Sequence, residues 1–266
     1  MRIYDGVLVH QSISDEGIIE VVDVGDVRSL HFGTHPRQSS MSLKAPHRLE
    51  LSYTRAMMAC LLFCTNPKRV LAIGLGGGSL VKFLLHHLAD CQIEVVEYRQ
   101  DVIDVAQRYF AVTADPRLSI KKADAFGHAS QQHYLGEQSY DLILVDAFDH
   151  EGMASSVGEQ PFFDACAGIL SEQGVMASNL WGTDRPGFNL IMQRINRSFA
   201  DNSLVLPVED KGNVIAFARH QVFDLTALRK QRQEIEMMDT HYQTDLLKSS
   251  QMLLRQNTTF LSRWLG

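Results

Sequence analysis

Four acidic residues follow a glycine run at spacings that could hold a nucleoside and activate an amine. The run is Gly74, Gly76, Gly77 and Gly78 in "VLAIGLGGGSL". Glycines at such a point let the backbone approach a ligand and leave helix N-terminal amides exposed. Glu97 closes "IEVVE", 23 residues past Gly74. A carboxylate there can accept both hydroxyls of a ribose. Asp124 in "KKADAF", with Ala125 beside it, suits the amino group of an adenine. Asp146 and Asp149 in "YDLILVDAFDHEGM" place two carboxylates three residues apart. Such a pair suits a cationic substrate or the deprotonation of an amine. Each acid also has a plainer reading: Glu97 as a surface strand end, Asp124 as a turn former, and the last two as loop acids. His150 reads as an exposed loop histidine.

The glycine run is not specific by itself. The third glycine of a dinucleotide fingerprint would fall on Ser79, and a Gly-Lys-Ser/Thr phosphate loop is absent, which argues against an NTPase. Glycines and Glu97 together leave NAD and S-adenosylmethionine both open. Asp124 tilts the choice toward an adenosyl sulfonium.

These residues must be positioned by strands and helices. From residue 70 the chain alternates: "RVLAIGL" as strand, "GSLVKFLLHHLA" as helix, "IEVVEY" as strand, "DVIDVAQRYF" as helix. "LSIKKADAF" and "YDLILVDAF" follow as strands, then "QPFFDACAGIL" as a helix stopped near Gly174. "GVMASNLW", "SLVLPV" and "GNVIAFAR" complete the strands, with "GFNLIMQRINRSFA" a helix between the first two. The pattern predicts an α/β, Rossmann-like, doubly wound and mostly parallel sheet, with ligands at the carboxyl ends of the strands. Residues 1–52, rich in β-branched residues and turn signals, predict a small N-terminal β-module. "RLELSYTRAMMACLLF" reads as a helix ended by Pro67. The organisation expected is thus 1–52, a nucleoside-binding domain over 53–222, and a helical extension over 223–266. That extension suits core packing, with pairing of two subunits as the other use. Trp181 in "NLWG" is either the floor of an acceptor pocket or a core tryptophan.

Bulk properties narrow the partners. The 266 residues carry a net charge of -6, with 45% hydrophobic and 21% charged residues. That charge argues against a general nucleic-acid binder. "LRKQRQ" near Arg229 is balanced by Glu234, Glu236 and Asp239, as on a solvated helix face. The longest apolar run, "AMMACLLFC", is far shorter than the ~20 residues of a span, and no signal peptide is evident. A soluble, cytoplasmic protein is expected. Cys60, Cys64, Cys91 and Cys166 read as structural thiols rather than zinc ligands or disulfides, and His86 and His87, adjacent on a helix, point different ways. No metal is expected.

The spaced motifs resemble the spermidine synthase family, the polyamine aminopropyltransferases, over roughly residues 20 to 220. "LHFGTHPRQS" is similar to that family's hairpin with a glutamine, here Gln38. "LSYTRAMMA" is similar to its helix with a tyrosine facing the polyamine, here Tyr53. "GLGGGS", Glu97, "ADAF" and "VDAFDHEGM" follow in the family's order. The whole also resembles the wider class I methyltransferase fold. The resemblance implies transfer of an aminopropyl group from decarboxylated S-adenosylmethionine to an amine or polyamine, with no metal. It implies that Glu97 holds the ribose, Asp124 the adenine, and Gln38 the sulfonium end. Asp149 would bind and deprotonate the attacking amine, and Tyr53 would orient it. A homodimer is an expected assembly.

Three residues and one loop depart from the family pattern. Gly77 stands where the synthases carry an aspartate that pairs with the cofactor's free amine. Its loss makes intact S-adenosylmethionine electrostatically acceptable. Arg55 and Arg99 stand where acids are usual, and "DHEGMA" lacks two prolines. A methyltransferase on the same scaffold and a non-catalytic nucleoside-binding homologue are therefore the alternative readings.

Overall fold

The computed structural model describes residues 1–136, 139–147, 157–209 and 212–264. Two sheets organise it. The first is antiparallel, in sequential order: β1 (Arg2–Ile3), β2 (Gly6–Ser14), β3 (Gly17–Val24), β4 (Val27–His31) and β5 (Ser39–Ser42). Its first turn needs only Tyr4 and Asp5, both at positive φ (49° and 63°), as the right-handed twist of a two-residue hairpin requires. Ile19, Val21, Leu30 and Met41 on the inner face pack against Val102, Val105 and Phe110.

The second sheet has seven strands: β6 (Arg69–Ile73), β7 (Gln92–Glu97), β8 (Leu118–Lys122), β9 (Tyr140–Val145), β10 (Leu170–Trp181), β11 (Ser203–Pro207) and β12 (Asn213–Ala218). Their order is β11-β12-β10-β9-β6-β7-β8. The strands from β10 to β8 are parallel, and β12 runs antiparallel between β10 and β11. Chain order reverses between β6 and β9, so the crevice beyond their carboxyl ends is the switch point at which such folds bind ligands.

Helices cover both faces: α1 (Ser52–Met57), α2 (Ser79–His87), α3 (Gln100–Tyr109), α4 (Ala125–Leu135), α5 (Gln160–Ile169), α6 (Arg185–Ser198), α7 (Leu225–Lys230), α8 (Arg232–Tyr242) and α9 (Leu246–Trp264). The two-residue period of the central strands divides the core. Val70, Ala72, Leu142 and Leu144 face one cluster, and Leu71, Ile73, Ile143 and Val145 the other. Leu228, Ile235, Leu246 and Leu253 of the last three helices join the first cluster, so the extension does pack on the core. Cys60, Cys91 and Cys166 are buried, Cys64 is half-buried, and all four are free.

Three local expectations are corrected. The strand expected over "LSIKKADAF" stops at Lys122, and Ala125–Leu135 is a helix instead. That segment has only two buried residues, His128 and Ala129, so no apolar stripe betrays it. Asp124 starts it instead, its Oδ1 accepting from the Gly127 N–H at 2.8 Å. The helix of "QPFFDACAGIL" ends at Ile169 rather than near Gly174, because Leu170 turns extended and pairs with Tyr140. Finally, "RLELSYTRAMMACLLF" is helical only from Ser52, and its Met58–Leu62 part is a 3-10 turn.

Candidate active site

The glycine loop sits at the switch point because β6 and β9 end together there. The Asp146 N–H donates to the Ile73 carbonyl at 2.9 Å, and a Cβ on Gly74 (φ +91°) would collide with the Asp146 carbonyl. Gly76 (φ +51°) is different: a Cβ there would meet only Ser39 Cβ, at 3.8 Å. Its bare backbone faces room that a ligand can use. Gly78 (φ +66°) leads into α2. Gly77 lies outside the left-handed region, but a Cβ on it would stand 2.7 Å from Ser39 Oγ and 2.9 Å from Phe110 Cδ1. The N-terminal sheet therefore closes over this glycine. The same sheet reaches the helix start, where Ser39 Oγ lies 3.0 Å from Ser79 Oγ.

Beneath the loop is a buried cation. Lys82 Nζ donates to the carbonyls of Gly77 and Phe110, both at 2.7 Å, and lies 3.4 Å from Met41 Sδ. Burial pushes its ammonium down to about 7. Sequence reading passed over this residue, although a lysine on the apolar face of "SLVKFLL" is a signal, since buried charges are rare unless they have partners.

Glu97 lies at the end of β7, beside the loop. Its Oε2 accepts from the Leu75 N–H and its Oε1 from the Arg99 N–H, each at 2.9 Å. Burial raises its pKa against those bonds. With one donor per oxygen, each oxygen keeps a further lone pair for a ribose hydroxyl. Asp124 stands at the next strand end, where Ala123 N–H donates to the Glu97 carbonyl at 3.1 Å. Its side chain is exposed and uses one oxygen as the cap of α4, while Ala125 is the first residue of that helix. Arg99, which stands where an acid is usual, pairs with Asp101 at 2.9 Å and with Glu16 at 3.7 Å, and lies over the Phe32 ring.

At the end of β9 a polar chain runs into the fold. The Tyr53 hydroxyl lies 3.1 Å from Asp146 Oδ2 and 3.2 Å from the Gln38 carbonyl. With one proton it donates to one of them at a time. Asn179 Nδ2 donates to Asp146 Oδ1 at 2.9 Å, and Asn213 Nδ2 donates to Asn179 Oδ1, also at 2.9 Å. Burial raises the Asp146 carboxyl, and the Asn179 and Tyr53 donors oppose that rise. The Tyr53 hydroxyl is itself pushed well up by burial and by Asp146. Gln38, Tyr53 and Asp146, which the sequence places far apart, are thus brought together. Asn179 and Asn213 were missed. The available signal was a buried asparagine inside the apolar strand "GVMASNLW". Arg55, two residues past Tyr53, faces elsewhere and pairs with Asp245 at 2.9 Å. Trp181 is 51% exposed at the end of β10, which overturns the core-tryptophan reading. Asp149 and His150 lie outside the described residues.

A doubly wound sheet with a glycine loop, strand-end acids and a covering N-terminal β-sheet defines a fold of the class I methyltransferase type. Solved structures show the same fold. A human methyltransferase-like protein 13, in complex with SAH, superposes with a TM-score of 0.63 at 23% identity, over 76% of this chain and 93% of that one. A spermidine synthase, in complex with the transition-state analogue AdoDATO, gives 0.64 at 24% identity, over 84% and 78%. In sequence, the spermine/spermidine synthase domain matches residues 50–181. A polyamine aminopropyltransferase of Chromobacterium violaceum is 36% identical over 222 residues, 82% of this chain and 83% of that protein. The chain belongs to the spermine/spermidine synthase family.

Proposed function

We propose that the protein transfers an aminopropyl group from decarboxylated S-adenosylmethionine to an amine or polyamine. The observation that carries this reading is the Gln38–Tyr53–Asp146 contact, which brings the N-terminal module onto the switch point beside the glycine loop. A plain nucleoside site needs only the loop and Glu97, whereas an amine acceptor needs an acid-lined second half. The cradle fits the nucleoside: Gly76 leaves open space, and Glu97 retains acceptor capacity. When bound, the sulfonium supplies a carbon activated by a neutral thioether leaving group.

The chain's own groups have three tasks. Glu97 and Asp124 hold the adenosine by its ribose and base. Tyr53, kept in place by Asp146, orients the incoming nitrogen. Asp149 takes the amine's proton. Asp146 is poorly suited to that last task, because each of its oxygens already holds a donor. The amine lone pair forms the N–C bond while the C–S bond breaks with its electron pair onto sulfur, and the freed proton passes to the Asp149 carboxylate. Alignment and a deprotonated amine are the main requirements.

Calorimetry with S-adenosylmethionine, its decarboxylated form and NAD, beside turnover assays with a panel of diamines and polyamines, tests the reading. Aminopropyl transfer from the decarboxylated form supports it. Methyl transfer alone, or NAD as the tighter ligand, overturns it. Asp149→Asn is expected to abolish turnover and leave nucleoside binding intact; unchanged turnover removes Asp149 from the mechanism.

A further inference from the structure

Away from the glycine loop, at the far end of α2, four histidines from three parts of the chain share one cavity of about 490 Å³. His47 comes from the segment before α1, His86 and His87 from the last turn of α2, and His241 from the last turn of α8. The His47 and His86 rings stack with centroids 3.7 Å apart. His87 lies 4.7 Å from His86, 6.2 Å from His47 and 5.1 Å from His241. Arg48 and Arg55 line the same cavity, with Phe83 and Tyr242 as apolar floor.

The charges here are one-sided. Arg48 is exposed and forms no ion pair with a described residue. Arg55 is paired with Asp245, the one acid on the cavity wall among the described residues. Nearby acids are committed elsewhere. Asp239 accepts from the backbone N–H groups of Leu246 and Leu247, and Glu236 pairs with Arg232. The carbonyl ends of α2 and α8 also point this way and offset part of the positive potential. Burial, with the neighbouring rings, disfavours charge on two of the imidazoles. His87 is pushed down to about 4 by burial and by His86, His241 and His47, and His47 is lowered by burial, His86 and Arg48. The Arg48 guanidinium beside these rings has no counter-charge among the described residues.

We propose that this cavity is a binding site for a small multivalent oxyanion, a phosphate ester or a polycarboxylate, gripped by Arg48 and by ring N–H groups of the four histidines. An anion among the rings favours their protonated forms, so binding takes up protons. Each proton taken up makes binding about tenfold tighter per pH unit lowered. The site is independent of the transferase reading, because none of its groups touches the glycine loop, Glu97 or Asp146.

The test uses sulfate, which stays divalent across the working range, titrated into the full-length protein at about pH 6 and about pH 8. Tighter binding at the lower pH, with proton uptake seen by comparing buffers of different ionisation heat, is expected. Arg48→Ala and His241→Gln, both exposed positions, are expected to weaken it at least about tenfold while leaving the sulfate-free melting temperature and nucleoside affinity unchanged. Pyrophosphate and citrate titrations then separate the two ligand sources, the tighter one naming the class. Absence of sulfate binding at the lower pH, or binding that neither variant weakens, overturns the proposal.

Discussion

Removing the Tyr53 hydroxyl isolates what the buried polar chain contributes. Tyr53→Phe keeps the ring and deletes one of the two donors to Asp146, leaving Asn179 as the other. A hydrogen bond to an ionised partner contributes about 1.5–3 kcal/mol, and one to a neutral partner about 0.5–1.5 kcal/mol. Where Asp146 is ionised the variant is therefore expected to lose about 1.5–3 kcal/mol, roughly a 10–150-fold shift in the unfolding equilibrium, and less where it is neutral. The sign of the pH dependence follows from Asp146. Its folded pKa is raised by burial, so the folded state favours the neutral acid. That contribution is present at low pH and is lost as pH rises through the raised value. Tyr53 lowers this carboxyl, and its removal raises it further. The deficit of the variant should then grow as pH rises through the folded pKa and shrink below it. Reversible urea unfolding from about pH 5 to about pH 8 measures this. A cycle with Asp146→Asn gives the coupling, expected at about 1.5–3 kcal/mol at the upper pH. Coupling below about 0.5 kcal/mol, or a deficit that does not change with pH, would refute the assignment of a charged Asp146 held by Tyr53.

Other perturbations probe the loop and its surroundings. Gly77→Asp should weaken S-adenosylmethionine relative to its decarboxylated form, but the new side chain meets Ser39 and Phe110, at a cost of about 1–3 kcal/mol. Ser39→Gly in the same chain should recover most of that loss, and equal affinities for the two nucleosides in the double variant would remove the electrostatic rationale. Lys82→Met leaves the Gly77 and Phe110 carbonyls without their donor; a stability loss of about 1–3 kcal/mol and weaker nucleoside binding are expected by denaturation and calorimetry. Glu97→Gln turns an NH₂ toward either the Leu75 or the Arg99 N–H, and nucleoside affinity should fall even where the fold is retained. His87, at about 4 against an ordinary 6.5, makes the folded state resist protonation. Stability is full above the ordinary value and is lost as pH falls from about 6.5 toward about 4, and His87→Gln should flatten that decline in a thermal-melt series.

The sheet and its strand-end acids were legible because β6, β7 and β9 are short apolar runs cut off by glycine or acid, which only a buried parallel strand accounts for. Helix α4 was not, because its stability comes from the Asp124 cap and packing against α5 rather than from a periodic apolar face. Contacts across the sequence were beyond reach as well. Nothing near Gly77 in the sequence announces Ser39, and the residue's meaning changes once the two are in contact. From sequence, its missing acid reads as a change in charge preference alone. In the fold, a side chain at 77 has no room while Ser39 stands there.

Asp146 and Asp149, read from sequence as a pair, divide by environment. Asp146 ends a buried strand, takes one donor on each oxygen and is pushed toward its neutral form. A base for an amine must ionise readily and turn a lone pair to the substrate, and these features oppose both. They suit a different task. By anchoring Tyr53 against β9 and, through Asn179 and Asn213, against β10 and β12, Asp146 holds the Tyr53 ring at the mouth of the sheet. Asp146→Asn should consequently raise the acceptor's KM and spare nucleoside affinity, whereas Asp149→Asn should remove kcat. Identical effects of the two substitutions on steady-state kinetics would show that the acids act as one unit and not in separate roles.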